Sequence, residues 1–150
     1  MISEVEFHTG VADELDFACR LLRKAYRRGA RVLVTAPPEK LARLDRALWV
    51  FEERDFVPHV LVGDQAARPQ PGAGVLARTP IWLAGAAPLP GAPDVLVNIG
   101  ADAPEDLARF SRVIEIVGAD PDAEQAGRQR WRTYKARGLQ ITHHAAAARD

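Results

Sequence analysis

The sequence predicts an α/β three-layer domain with a mainly parallel central sheet. Three runs, Arg31-Val-Leu-Val-Thr35, Asp94-Val-Leu-Val-Asn-Ile99 and Arg112-Val-Ile-Glu-Ile-Val117, are too apolar for strands with one wet face and read as strands buried on both. Amphipathic helical patterns alternate with them, the signature of a sheet covered by helices. At 150 residues, with no internal repeat, the chain is expected to be one domain over residues 1–150, with a loosely ordered tail at about 143–150.

Residues 2–8 alternate loosely, Ile2, Val5 and Phe7 against Glu4 and Glu6, and read as a strand with one wet face. A strong helix follows. Val11, Leu15, Ala18, Leu22 and Ala25 recur at spacings of three and four, acids crowd the first turns, cations the last, and Gly29 supplies the stop. After the strand at 31–35, a second helix runs from about Pro38 to Phe51 on the stripe Leu41, Leu44, Leu48 and Phe51.

Trp49 lies off that stripe, with Ala42, Asp45, Glu52 and Glu53. A ring on a polar face either lies flat against a loop or anchors a protein contact, where tryptophan is over-represented. Phe56, in Phe56-Val-Pro-His59, can join the same patch.

Residues 63–80 are rich in Gly, Pro, Ala and Gln and read as a loop. Ile81-Trp-Leu-Ala84 is a short strand, 87–93 a Pro/Gly connector, and Pro104 to Phe110 a short helix. The last helix starts after Asp120 as N-cap, with Pro121 at its first position.

Charge is unevenly distributed. The chain holds 20 basic and 20 acidic residues, yet its first 127 carry 14 and 19, a net of −5. The compensating cations sit in Arg128-Gln-Arg-Trp-Arg-Thr-Tyr-Lys-Ala-Arg137, with two rings interleaved and no acid. Such a stretch recognises an anionic partner or is the solvated face of a helix.

Catalytic and cofactor patterns are lacking. Gly72-Ala-Gly74 has neither the lysine nor the Ser/Thr of a phosphate loop. The helices near 38, 104 and 121 open with Pro and carboxylates where a phosphate would sit. Neither a cofactor nor a metal is expected, since His8, His59 and the adjacent His143-His144 are not spaced as ligands. The single cysteine, Cys19, falls in a helix interior and suits a reducing compartment. With no signal-peptide pattern and no apolar run long enough to span a bilayer, a soluble cytoplasmic protein is expected.

The chain resembles the chi subunit of the bacterial DNA polymerase III holoenzyme. The likeness rests on Arg31-Val-Leu-Val with Glu39-Lys-Leu-Ala-Arg-Leu-Asp-Arg-Ala-Leu-Trp49, Phe56-Val-Pro-His59, Asp94-Val-Leu-Val-Asn, and Arg128-x-Arg-Trp-x-x-Tyr-Lys-x-x-Gly138. It implies a Rossmann-like fold without a nucleotide site. It also implies a non-catalytic adaptor that binds the acidic C-terminal tail of single-stranded-DNA-binding protein and pairs with a psi subunit of the clamp loader.

By the same resemblance, Arg128, Trp131 and Val117 match the tail-binding positions, and Trp49 and Phe56 the psi contact. On a helix Arg128, Trp131, Arg132 and Lys135 share one side, which adds the last two as a cationic rim. Two departures stand out: Glu124 replaces a family lysine, and Trp131 a tyrosine. The alternatives are a nucleotide-binding or helicase-like domain, suggested by fold type alone, and a direct binder of single-stranded nucleic acid, since Arg, Trp and Tyr can clamp a backbone and stack bases.

Overall fold

The computed structural model describes residue 2 and residues 4–50, 56–62, 72–85 and 91–146. The expectations at Phe51, Glu52 and Glu53, over 63–71, at Pro88 and Pro90 and over 147–150 lie outside these residues.

Among the described residues seven strands form one sheet: β1 (Glu4–Val11), β2 (Val32–Thr35), β3 (His59–Val62), β4 (Ile81–Ala84), β5 (Val95–Asn98), β6 (Arg112–Gly118) and β7 (Gln140–Ala145). Their order is β3-β4-β2-β5-β6-β1-β7, and every neighbouring pair is parallel. The predicted α/β class and buried parallel core hold. β2 and β4 are buried at every position because apolar layers cover both faces.

Helices α1 (Glu14–Arg27) and α2 (Pro38–Val50) pack Ala18, Cys19, Leu22, Leu41, Leu44 and Leu48 on one face of the sheet. Burial pushes the Cys19 thiol up to about 11, so the group packs as a small hydrophobe. On the other face lies α4 (Pro121–Ala136), whose Tyr134 joins Phe7, Phe110, Val113 and Val117. The start of α4 follows the sequence reading, while Val11, expected in the first helix, belongs to β1 and α1 starts after Asp13. Asp13 accepts from the Asp16 amide at 3.1 Å and Asp120 from the Ala123 amide at 3.3 Å.

The structure corrects the sequence reading in five places. The first strand extends to Val11, with its register shifting between His8 and Val11 where Gly10 takes φ 68°. Residues 73–78, expected as loop, form the helix α3 (Ala73–Arg78). No residue of α3 is buried; tertiary contacts mark its position, since the Trp82 indole donates to the carbonyls of Leu76 and Thr79. The expected helix at 104–110 reduces to one 3-10 turn, Leu107–Arg109, entered without a side-chain cap.

The fourth correction is at the C-terminus. His143, His144 and Ala145, expected in a loose tail, complete β7, which pairs residue by residue with β1 from Glu4 to Thr9. Edge position explains why this strand escaped notice: Gln140-Ile-Thr-His-His-Ala145 has one strongly apolar residue and depends on a neighbour distant in sequence. A fifth correction is the edge strand β3, where His59-Val-Leu-Val62 pairs with β4 although the sequence reading has no strand there.

Candidate protein-interaction sites

The C-terminal rim of the sheet is where open α/β folds usually take ligands. A cavity of about 370 Å³ lies there, lined by Asp13, Glu14, Lys40, Arg43 and Asp120 among others. Glu14 occupies it chemically. One carboxylate oxygen accepts from the Gly118 amide at 3.1 Å and the other from Lys40 Nζ at 2.9 Å. The backbone donor and the cation that a phosphate would use are thus already engaged by an acid, with Asp13 and Asp120 adding like charge. Although this is the larger cavity, its charge argues against a nucleotide.

A second cavity, of about 260 Å³, lies between α4, the C-terminal end of β6, and the edge pair β1–β7. Phe7, Thr9, Val117, Glu124, Gly127, Arg128, Trp131 and His143 line it. The three positions matched to tail binding, Val117, Arg128 and Trp131, therefore converge on one concavity. Local structure explains how. Val117 is the last residue but one of β6, close to the turn into α4, and Arg128 and Trp131 lie one helical turn apart.

Gly127 sets the depth of this cavity. A Cβ at that position would lie 2.8 Å from Val117 Cγ1, so only glycine lets α4 approach β6 this closely. Trp131 is fixed from two sides, 5.0 Å from the Phe7 ring and perpendicular to the His143 ring at 5.2 Å. Arg128 is 68% exposed at its side chain and lies 3.9 Å from Glu124, one turn earlier on the same helix. Arg132 and Lys135 are exposed on α4 but do not line the cavity.

The cationic stretch is divided between inside and outside. Arg130, two residues from Arg128, is buried, and its Nε donates to Glu115 at 2.7 Å. Tyr134 donates to the same carboxylate at 2.6 Å, and the Asn98 amide at 3.0 Å. Burial pushes the Glu115 carboxyl above its usual range, against the pull of Arg130, Tyr134 and Asn98. Desolvation, with the Glu115 charge beside it, pushes the Tyr134 hydroxyl up as well. Asn98 also accepts from the Thr35 hydroxyl at 2.9 Å, so one polar chain runs from α4 through β6 and β5 to β2. A signal was present in the sequence: an acid within the apolar run of β6 requires a buried partner.

At the other end of the sheet, beside β3, Trp49 and Phe56 stack at 4.9 Å. Both are exposed, Trp49 by 57% and Phe56 by 42%, and Val50 beside them by 79%. Trp49 therefore lies against the loop residue Phe56 yet keeps more than half of its surface open to solvent. Beneath the pair His59 stands edge-on to Trp49 at 5.2 Å, its Nδ1 2.8 Å from the Val57 carbonyl and its Nε2 3.1 Å from the Asp45 carboxylate. Sequence reasoning found the two rings but missed this support. Among the described residues no group of three or more His, Cys, Asp or Glu side chains is gathered as a metal site would need. No helix among them is long and apolar enough to cross a membrane.

Comparison with known proteins agrees with the sequence motifs. Residues 2–142 match the family model described as DNA polymerase III chi subunit, HolC. The chain is 33% identical over 131 residues to the DNA polymerase III subunit chi of Pseudomonas aeruginosa, covering 87% of this chain and 84% of that protein. It is 28% identical over 133 residues to the subunit chi of Escherichia coli K12, covering 88% and 85%. With the Haemophilus influenzae subunit chi, identity is 28% over 131 residues, covering 85% and 83%.

Proposed function

The chain belongs to the DNA polymerase III chi subunit family, and from that premise we propose that it is a non-catalytic adaptor binding the acidic C-terminal tail of single-stranded-DNA-binding protein and joining it to the clamp loader through a psi subunit. The observation that carries the tail assignment is the convergence of Arg128, Trp131 and Val117 on one cavity. A tail ending in Pro-Phe with a free carboxylate suits it. The planar guanidinium of Arg128 receives the carboxylate through two charge-assisted hydrogen bonds. The terminal ring packs against Trp131, Val117 and Phe7, while Arg132 and Lys135 attract the acidic residues upstream. At the opposite end of the sheet, the exposed Trp49–Phe56 pair takes the psi subunit as an aromatic anchor.

Direct binding of single-stranded DNA is the second reading, favoured by the cations of α4. The acidic body, net −5 over the first 127 residues, and the inward turn of Arg130 leave a short track for a phosphate backbone.

Calorimetric titration with an acidic peptide ending in Pro-Phe tests the assignment. Arg128→Ala is expected to lower the affinity by about thirtyfold or more, a loss of about 2 kcal/mol at least. Amidating the peptide C-terminus is expected to lower binding to the wild-type protein as well. Unchanged affinity in the variant, or tighter binding of bare single-stranded DNA than of the peptide, overturns the reading.

A further inference from the structure

The ionisable groups lining the α4–β7 cavity are Glu124, Arg128 and His143. Arg128 and Glu124, 3.9 Å apart, offset one another, so the lining has no net charge while His143 is neutral. A single proton on His143 makes the lining cationic.

We propose that His143 is a second anion-recognition group of this cavity, and that an acidic peptide carboxylate binds with uptake of a proton by its imidazole. This rests on reading the cavity as the peptide site and adds a residue and a proton linkage to it. His143 projects from β7 onto the same face as Phe7 and Thr9, opposite Arg128 and Trp131 on α4. Its Nε2 lies 2.6 Å from the Thr9 hydroxyl. A hydroxyl donates to a neutral ring and accepts from a protonated one, so this contact survives the change of charge. The perpendicular packing on Trp131 then holds the ring at the cavity wall in both states.

Other charges near β7 are committed elsewhere. Glu4 and Glu6 project from β1 to the opposite face, where Glu4 accepts from Thr142 and Glu6 pairs with Arg112. His8 and His144 stack on each other there at 4.8 Å. On α4, Arg130 is buried against Glu115, and Asp122, Arg132 and Lys135 lie outside the cavity lining. The peptide's own carboxylates stay ionised across the range in which imidazoles titrate.

The experiment is calorimetric titration of an acidic peptide ending in Pro-Phe at about pH 8 and about pH 6, in buffers of different ionisation enthalpy. The wild-type protein is expected to bind about tenfold tighter at the lower pH and to take up a proton on binding. His143→Gln, which keeps a hydrogen-bonding partner for Thr9, is expected to bind with nearly the same affinity at both pH values and to lose most of the proton uptake, whatever that affinity is. Wild-type affinity that is equal at both pH values overturns the inference and leaves the peptide site standing. Full pH dependence in His143→Gln overturns it too and transfers the linkage to His8 or His144. No binding at either pH overturns the peptide site itself, and the inference with it.

Discussion

The two ends of the sheet present opposite kinds of surface. At the β1–β7 edge the protein is concave, and one exposed guanidinium, paired with Glu124, stands beside apolar walls. Beside β3 it is convex, with stacked aromatic rings offered to solvent. Each has a buried polar group nearby: Glu115 with Arg130 and Tyr134 between α4 and the sheet, His59 with Asp45 beside the rings. The difference lies in depth. The first support crosses three strands, whereas the second links β3 to the neighbouring helix. The cavity is thus tied to the fold as a whole, and the aromatic platform to its local corner. On the proposed reading, such a division would let one small domain hold two partners whose chemistries do not compete.

The largest effect should come from breaking the deeper support. Arg130→Met leaves Glu115 buried without its counter-ion and is expected to destabilise the fold by about 3–5 kcal/mol near neutral pH. The sign of its pH dependence follows from burial. A carboxyl whose folded pKa is raised holds its proton better in the native state, so its contribution to stability is present below the unfolded value of about 4.3 and is lost as pH rises through the raised folded value. Urea denaturation should therefore show a smaller deficit for Arg130→Met at about pH 5 than at about pH 8. An equal deficit at both would mean that Glu115 does not carry the effect.

Trp49→Ala comes next and tests the independence of the two ends. It removes a side chain that is already mostly exposed, so fold stability should change little. Affinity for a psi subunit should fall by about tenfold or more, as for an interface anchor, while binding of the acidic peptide stays unchanged. Surface-immobilised psi and the peptide titration measure the two. Loss of peptide binding with psi binding intact would reverse the division of labour.

The division was only partly legible in the sequence, for physical reasons that particular residues illustrate. β2, α2, β5, β6 and α4 announce themselves through local periodicity and caps, and Asp120 with Pro121 marks the start of α4. The spacing of Arg128 and Trp131 likewise puts both on one side of a helix. What spacing could not show is that Gly127, Arg130 and Tyr134 form the inward face, because that choice is made by Glu115 on another strand. His143 was hidden further still: it enters the cavity only because β7 pairs with β1, and its partner Thr9 is 134 positions away. The Trp49–Phe56 pair was readable as two rings, but its support by His59 depends on β3, four residues whose pairing with β4 has no local signal.

The smallest expected effect is also the most local. Gly127→Ala adds one methyl at a position where a Cβ would meet Val117 Cγ1 at 2.8 Å and Cγ2 at 2.9 Å. Helix propensity favours alanine by about 1 kcal/mol, and overpacking opposes it by about 1–3 kcal/mol, so net stability should fall by at most about 2 kcal/mol. The strain has two outlets: Val117 turns about its Cβ, or α4 rides away from β6. Both alter the cavity wall, because Val117 is part of it and Trp131 is carried on α4. Peptide affinity should therefore drop by about fivefold, while psi binding at the far end of the sheet is untouched. If calorimetry finds the peptide bound as tightly as before, the close approach of α4 to β6 is a packing detail, and the depth of the cavity does not set how well it holds a tail.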